Sequence, residues 1–355
     1  MATPPIGGLR RQRDGVRDTL GAMPTALLRT DDLPAPAVAP ARRVRWAGIA
    51  GLGAALPAES VPVADVAARV GVEPEWITRR TGIHALRRLP QDGTLCDLGE
   101  AAAREALADA GVEASELDAV LVATASADAV MPCAAPLIAG RLGAGRAMAW
   151  DVNLACTGFL AGLEQGAALI ESGRAKCVLL IAADALGRFT DHDDRKTAAL
   201  FADGAGAVVL TAGAGMRLGA STLWSEPDEA GALVVGHDDR LVRMDGQAVF
   251  ARAVDGMERC CRMVLADAGL HVNDIDLVVP HQANARITRT LSERLSLPAD
   301  RVADTIAQVG NTGAASIPLA LHTARTEGRI PAPGGLMLFT AFGAGFAAGA
   351  VLVES

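Results

Sequence analysis

The stretch Asp151-Val152-Asn153-Leu154-Ala155-Cys156-Thr157-Gly158-Phe159 decides the fold of this chain. The apolar run 147–152 leads into it and predicts a buried strand. After it, apolar residues recur at helical spacing, at Leu160, Leu163, Ala167 and Ile170. Cys156 is therefore predicted at a strand-to-helix turn, where unpaired amides and the helix dipole favour a thiolate and lower the pKa of the thiol. The turn alone also fits a small, buried core cysteine.

Composition and charge exclude several classes of protein. The 355 residues are 50% hydrophobic, enough to bury a large core built from two units. The formal net charge of −8 argues against nonspecific nucleic-acid binding. No apolar run approaches the ~20 residues that span a bilayer, and the N-terminus lacks the apolar segment of a secretory signal. Six cysteines without metal-binding spacing suit a reducing cytosol, so we expect a cytoplasmic protein with no metal, membrane or nucleic-acid partner.

Residues 1–43 differ from the rest of the chain. They contain Pro-rich and Gly-rich segments without sustained periodicity, which predicts a flexible leader or linker. The folded body is predicted to begin near Val44, where residues 44–49 have the pattern of a first strand.

The folded body contains two similar halves, predicted at 44–213 and 214–355. Four features recur in the same order: Leu-Ala-Asp-Ala-Gly at 107–111 and 265–269, an apolar strand at 117–122 and 275–279, Cys-Thr-Gly or Asn-Thr-Gly at 156–158 and 311–313, and a Gly-led strand at 204–210 and 349–353. Repetition in order indicates a duplicated α/β unit. Strands that alternate with helices predict mostly parallel sheets covered by helices.

A duplicated unit brings distant residues together. Helices that begin at matching strand ends face each other across a pseudo-twofold axis, so the Cys156 turn and the Asn311 turn are predicted to meet. His281 follows the strand 275–279 and Pro280, which cannot donate a sheet hydrogen bond and suits a strand exit. Strand exits are where α/β folds place their sites. Individually, His281 could be a core histidine and Asn311 a turn residue, but their convergence with Cys156 indicates an active site.

Three stretches carry the predicted chemistry: Ala155-Cys156-Thr157-Gly158-Phe159, His281-Gln282-Ala283-Asn284-Ala285-Arg286-Ile287 and Gly310-Asn311-Thr312-Gly313-Ala314-Ala315-Ser316-Ile317-Pro318. Together they resemble the active-site motifs of the β-ketoacyl-acyl carrier protein synthase III family. The resemblance extends over about 44–355. It implies the thiolase-like fold, two duplicated α/β halves in a five-layered αβαβα arrangement, a homodimer, and no cofactor beyond the coenzyme A of the substrate.

The resemblance also implies a decarboxylative Claisen condensation. Cys156 takes the acyl group from acyl-coenzyme A. Malonyl-acyl carrier protein then loses carbon dioxide and attacks the acyl-cysteine, which yields 3-oxoacyl-acyl carrier protein and starts a fatty-acid or type II polyketide chain. His281 and Asn311 would hold the malonyl thioester oxygen, and the backbone N–H groups of Cys156 and Gly343 would form an oxyanion hole.

Further roles follow from the same resemblance. Trp76, Arg80 and Arg195 are expected to bind coenzyme A, because an indole face and guanidinium groups suit adenine and phosphates. After His281 the sequence carries Arg286, Arg289 and Arg294 with Glu293 alone opposing them. Arg286 and Arg289 are expected to dock the acidic carrier protein.

The acyl pocket is expected at Met131, Phe159 and Phe342. Met131 stands where the family often has an aromatic residue that reaches into the partner's acyl pocket. That departure leaves the acyl specificity open.

Three other functions compete with condensation. A thiolase would use a second cysteine in a C-terminal Cys-x-Gly loop, but the last cysteine here is Cys261. An acyltransferase that moves an acyl group to an acceptor without decarboxylation would use the same Cys156. A non-catalytic partner subunit of a polyketide complex would lack the nucleophile, which this chain keeps.

Overall fold

The computed structural model describes residues 45–355, without the side chains of 228–230. The predicted leader 1–43 lies outside the described residues. The strands, in chain order, are β1 Ala47–Ala55, β2 Glu59–Pro62, β3 Ala85–Arg88, β4 Ala119–Ala123, β5 Met148–Val152, β6 Cys177–Ala185, β7 Asp203–Ala212, β8 Met216–Ser225, β9 Leu233–Val235, β10 Val242–Met244, β11 Leu277–Pro280, β12 Leu336–Gly343 and β13 Ala347–Glu354. The helices are α1 Val63–Val70, α2 Pro74–Thr81, α3 Leu95–Ala110, α4 Ala134–Leu142, α5 Gly158–Glu171, α6 Gly246–Ala268, α7 Ala285–Leu295, α8 Ile306–Val309 and α9 Ser316–Thr326.

The large strands follow one continuous order, β11-β12-β13-β8-β1-β7-β6-β4-β5. The two halves repeat one pattern. In β4-β6-β7-β1 of the first half and in β11-β12-β13-β8 of the second, one parallel pairing is followed by two antiparallel pairings. The halves join where β1 pairs with β8 through Gly48 and Ile49 only, opposite Arg217 and Met216. Beyond that short pairing the two groups of strands separate.

Helices lie between the two groups of strands and on both outer faces. The central apolar cluster contains Phe159 and Leu163 of α5 and Ile317 and Leu321 of α9. These side chains pack against strands of both halves. A second cluster covers the outer face of the first half with α3 and α4, and a third covers the outer face of the second half with α6 and α7. The layers are therefore helix, sheet, helix, sheet, helix, as predicted.

Two carboxylates of α3 replace the missing partner of β1. Asp109 accepts the backbone N–H of Leu52 at 2.9 Å and Glu105 that of Ala54 at 2.8 Å. Arg325 on α9 pairs with the same Asp109 and donates to the Leu52 carbonyl. A buried strand cannot leave its backbone groups unpaired, so these side chains let the two groups of strands diverge and admit α5 and α9 between them.

The structure corrects three details of the sequence prediction. Strand β1 begins at Ala47 and extends to Ala55, later and longer than the predicted 44–49. The expectation of mostly parallel sheets is wrong: β4–β5, β4–β6 and β11–β12 are parallel, but β7 and β13 each run antiparallel to both neighbours. Short apolar runs do not encode strand direction, which depends on where the connecting segments cross.

Strand β5 was predicted to be buried and lies at the edge of the sheet instead. Among residues 45–355 its one partner strand is β4, and Met148 at its start is 48% exposed. The hydrophobic pattern of a sequence does not distinguish an apolar strand at the edge of a sheet from one in its interior. The division of the body at 213/214 stays a prediction, because residues 45–355 fall within one compact unit.

Candidate active site

The Cys156 turn joins β5 to α5, as the sequence predicts. Residues Ala155–Thr157 form a single 3-10 turn, and α5 begins at Gly158. Ala155 has a φ of 44°, a left-handed conformation that is uncommon for a residue with a Cβ atom. Thr157 is buried and donates from Oγ1 to the carbonyl of Ala347 at 3.1 Å, which ties the turn to the start of β13. Strain of this kind concentrates at functional sites.

The electrostatics of Cys156 differ from the prediction. Burial and, to a lesser extent, the nearby charge of Asp184 raise the pKa of the Cys156 thiol to about 12, although a backbone hydrogen bond acts in the opposite direction. The expected lowered pKa is therefore wrong, because desolvation of the thiolate outweighs the helix terminus. The thiol is protonated at rest and must lose its proton as it reacts.

His281 lies at the exit of β11 and is 2% exposed. Its backbone N–H donates to Thr340 on β12, and its Nδ1 lies 2.6 Å from the hydroxyl oxygen of Ser316 at the start of α9. The same hydroxyl accepts the N–H of Gln282 at 3.3 Å. We assign the donor role to Ser316, because a hydroxyl can donate its proton while it accepts the Gln282 N–H. With Ser316 donating to Nδ1, the His281 ring carries its proton on Nε2.

His281 is also held neutral. Burial lowers the pKa of the imidazole to about 4. A neutral ring with a proton on Nε2 is a hydrogen-bond donor, not a base.

Asn311 is oriented by its own turn. Its Oδ1 accepts the N–H of Gly313 at 2.9 Å, so the amide nitrogen is the group left to face the cavity. Its backbone N–H donates to Leu200 and its carbonyl accepts from Ala202, which fixes the residue beside the segment that leads into β7. Both His281 and Asn311 thus present N–H donors.

Gly343, at the end of β12, comes very close to the Cys156 turn. A Cβ atom at 343 would lie 2.9 Å from the Cys156 nitrogen and 3.1 Å from the Thr157 nitrogen. The absence of a side chain there keeps the space above these amides open. This geometry fits the predicted oxyanion hole of two backbone N–H groups.

One cavity of about 1060 Å³ contains the predicted residues. It is lined by Cys156, His281, Asn311, Phe342 and Gly343 at its base. The convergence predicted from the duplication is therefore confirmed, while the role of each residue stays a prediction.

The mouth of this cavity carries the predicted coenzyme A residues. Trp76, Arg80 and Arg195 all line it. The Arg80 guanidinium lies 4.1 Å and that of Arg195 5.4 Å from the centre of the Trp76 ring. An aromatic face flanked by two cations suits a purine with phosphates.

The three arginines that follow His281 in the sequence have different surroundings. Arg286 lines the cavity and lies 5.5 Å over the Phe250 ring, and Arg289 is exposed one turn further along α7. Arg294 instead pairs with Asp255 and Glu258 of α6. These opposing charges come from another element, so the local sequence could not show them.

Two predicted acyl-pocket residues do not line the cavity of a single chain. Phe159 is fully buried in the central core, and Met131 is 84% exposed. Only Phe342 of the predicted three lies on the cavity wall.

Sequence reasoning missed Asp184, which lies one residue before the end of β6 and is 1% exposed. Burial raises the pKa of its carboxyl, and although its hydrogen bonds offset part of that rise, the pKa is still about 6. The sequence does contain a signal that could have identified this residue, because Asp184 interrupts the otherwise apolar run 178–185. A charged residue in a buried strand needs partners, and such residues mark functional or tightly specified positions.

None of the helices within residues 45–355 is long and apolar enough to cross a bilayer. Within the same residues, no group of His, Cys, Asp and Glu side chains has an arrangement that could hold a metal ion.

Comparisons with known proteins agree with this geometry. Residues 150–227 match the family model described as 3-oxoacyl-[acyl-carrier-protein] synthase III, and residues 265–355 match the model of its C-terminal part. The chain is similar to the β-ketoacyl-[acyl-carrier-protein] synthase III of Bordetella petrii, with 42% identity over 87% of this chain and 98% of the relative.

Solved structures show the same likeness. The 3-oxoacyl-(acyl carrier protein) synthase III of Pseudomonas aeruginosa is 41% identical with a TM-score of 0.84, covering 87% of this chain and 98% of its own. The priming β-ketosynthase of the R1128 polyketide pathway is 34% identical with a TM-score of 0.83, covering 89% of this chain and 99% of its own.

Proposed function

The chain belongs to the β-ketoacyl-[acyl-carrier-protein] synthase III family, and we propose that it joins an acyl group from acyl-coenzyme A to malonyl-acyl carrier protein at Cys156. The observation that carries this proposal is the convergence of Cys156, His281 and Asn311 on one cavity, with two side-chain N–H donors facing it. The product would be a 3-oxoacyl thioester that starts a fatty-acid or polyketide chain.

In the first half-reaction Cys156 acts alone among the three. Its sulfur attacks the thioester carbonyl, and the C–S bond to coenzyme A breaks. Because the raised pKa keeps the thiol protonated at rest, its proton leaves during attack and ends on the departing coenzyme A sulfur. The backbone N–H groups of Cys156 and Gly343 would hold the oxyanion that forms.

In the second half-reaction His281 and Asn311 hold the malonyl thioester oxygen. The bond between the carboxylate and the α-carbon breaks, carbon dioxide leaves, and its electron pair forms an enolate. Two preorganised N–H donors stabilise that negative charge in a buried site. The enolate carbon attacks the acyl-cysteine, and the released Cys156 sulfur regains a proton from water.

The test of this function is intact-mass analysis after incubation with a panel of acyl-coenzyme A thioesters. One acyl group should be added to the wild type and none to Cys156→Ala. Cys133→Ala is the matched control, because Cys133 is also partly exposed, and it should acquire the acyl group normally. Added malonyl-acyl carrier protein should then release carbon dioxide. Acylation without carbon dioxide release would support the acyltransferase instead.

Carrier-protein docking is part of the same proposal. Arg286 at the cavity mouth and the exposed Arg289 offer positive charge to an acidic partner. Arg286→Glu should weaken the use of malonyl-acyl carrier protein, more so at low salt, and leave acylation of Cys156 by acyl-coenzyme A nearly unchanged. Arg174→Glu, at the end of α5 away from Cys156, is the control and should change neither step.

A homodimer is supported by one face of the molecule. Within the part of the chain that the structure describes, β5 is the last strand of the sheet and has one unpaired edge. Exposed edges are templates for pairing with a second copy. Val130, Met131 and Met148 lie in and before this region and are 96%, 84% and 48% exposed. In such a dimer Met131 would reach the partner's acyl pocket, which fits its absence from the cavity of its own chain.

A further inference from the structure

Asp184 is a buried carboxylate that the mechanism above does not use. Its Oδ1 accepts hydrogen bonds from one loop of the first half: Ser126 Oγ at 2.7 Å, the Ala125 N–H at 2.9 Å and Thr124 Oγ1 at 3.2 Å. Its Oδ2 accepts the N–H of Ala314, from the second half, at 2.9 Å. One carboxylate therefore ties the loop 124–126 to Ala314, which lies 130 positions after Asp184 in the sequence.

The second-half segment that Asp184 holds is the turn that orients Asn311. Gly313 donates its N–H to Asn311 Oδ1, and the next residue, Ala314, donates to Asp184. A Cβ atom at Gly313 would lie 2.3 Å from Asp184 Oδ2, so the carboxylate packs directly on the backbone of this turn. Gly313 has a φ of 57°, which only glycine adopts without strain.

The same contact reaches the Cys156 turn. A Cβ atom at Gly158, the first residue of α5, would lie 3.6 Å from the Cβ atom of Ala314. The Asn311 turn is thus held against the start of the helix that carries the nucleophile at its N-terminal end. Asp184 therefore holds, through Ala314, the part of the Asn311 turn that contacts the start of α5.

We propose that Asp184 is a positioning residue for the condensation half-reaction, which holds the Asn311 amide in place relative to Cys156. This inference rests on the proposed function for its catalytic consequence. Asp184 should also slow the other half-reaction, the acylation of Cys156, because its negative charge opposes formation of the Cys156 thiolate. The two half-reactions should therefore respond to Asp184 in opposite directions.

Asp184→Asn separates these effects. An amide keeps an acceptor for the 124–126 loop but presents an N–H group to the Ala314 N–H, and it removes the charge. Malonyl decarboxylation by the acyl-enzyme should fall by about 10²-fold, the cost that a ~1 Å misplacement can carry. Alkylation of Cys156 by iodoacetamide should shift to lower pH, with about tenfold more thiolate for each unit by which the thiol pKa falls.

Ser126→Ala is the second variant, since it loosens the carboxylate and keeps its charge. At pH 8 it should slow decarboxylation and leave the alkylation rate unchanged. Asp203→Asn is the matched control. Asp203 is 2% exposed and accepts backbone N–H groups from Leu89 and Gly187, and its loss should lower the unfolding midpoint without separating the two rates.

Amide hydrogen exchange tests the link without any turnover. Exchange of the 311–314 amides should accelerate in Asp184→Asn and not in Asp203→Asn. If the wild type fails to decarboxylate malonyl-acyl carrier protein, the proposed function is wrong, and the exchange and alkylation data still decide the role of Asp184. Equal losses of both rates in Asp184→Asn, or unchanged exchange at 311–314, would overturn the positioning role.

Discussion

At the scale of single residues, the hydroxyl of Ser316 decides what His281 can do. It lies 2.6 Å from Nδ1, and its donation there leaves Nε2–H for the substrate. Ser316→Ala removes that constraint, so Nδ1 can carry the proton and Nε2 becomes an acceptor. We expect malonyl decarboxylation to slow by about 10-fold or more, toward the ~10²–10³ lost with a whole oxyanion donor, while acylation of Cys156 changes little.

The measurement is the rate of each half-reaction, together with ¹⁵N chemical shifts of the His281 ring, which distinguish an N–H from a bare nitrogen. Ser292→Ala is the control, because Ser292 also donates a local hydrogen bond but lies on α7. A wild-type ring protonated on Nδ1 would refute this assignment.

The pKa of His281 gives a second prediction at this scale. Its folded-state pKa of about 4 is below the unfolded value of 6.5. The unfolded chain therefore binds the proton first, and the contribution of His281 to the free energy of unfolding is complete above about pH 6.5 and lost as the pH falls toward 4. That contribution is at most about 3 kcal/mol.

Urea unfolding at pH 7.5 and 4.5 measures this loss. Wild type should lose more stability across that interval than His281→Gln, which has no titrating ring. An equal loss in both proteins would show that His281 titrates normally.

At the scale of elements, the repeated Leu-Ala-Asp-Ala-Gly sequence provides a matched pair. Asp109, in the first copy, holds the Leu52 N–H of β1 and pairs with Arg325. Asp267, in the second copy, is exposed to solvent. Asp109→Ala should lower the free energy of unfolding by about 1–3 kcal/mol, because it leaves a strand N–H without its acceptor, whereas Asp267→Ala should stay within about 0.5 kcal/mol.

Urea denaturation of both variants checks this pair. Similar losses at the two positions would mean that the carboxylates of α3 do not support β1.

The sequence predicts the helices and strands well, but it does not predict the charged and buried surroundings in which the structure places them. Alternating apolar runs and glycine-ended helices identify both halves, and the order of the repeats predicts that the turns of Cys156 and Asn311 meet. Local patterns contain no information on neighbours from distant elements. For that reason the sequence does not show that α6 neutralises Arg294 or that β5 lies at the edge of the sheet. It also predicts the wrong direction for the pKa of Cys156, because the burial of the turn and the charge of Asp184 depend on distant elements.

At the scale of the whole molecule, the exposed β5 edge predicts self-association. Met148→Asp places a charge on that edge and should shift the protein from dimer to monomer in sedimentation velocity. Met263→Asp is the control, because Met263 is similarly exposed, at 41%, on the outer helix α6. A dimer that persists in Met148→Asp and dissociates in Met263→Asp would place the interface on the other face.

The whole fold also explains why two half-reactions share one cavity. Each half of the chain contributes one turn, and the central helices α5 and α9 begin at those turns on either side of the pseudo-twofold axis. In the proposed mechanism, the first half supplies the nucleophile Cys156, and the second half supplies His281 and Asn311 as the donors for the enolate. Duplication followed by divergence of the Cys-Thr-Gly and Asn-Thr-Gly turns accounts for this division of labour.

That division of labour is tested most directly by measuring both half-reactions in His281→Ala and Asn311→Ala. Intact mass reports acylation of Cys156 by acyl-coenzyme A, and carbon dioxide release reports malonyl decarboxylation. Both variants should acquire the acyl group at nearly the wild-type rate and decarboxylate about 10²–10³-fold more slowly. Loss of acylation, with decarboxylation of the remaining acyl-enzyme unchanged, would contradict the account and make His281 and Asn311 partners of the nucleophile.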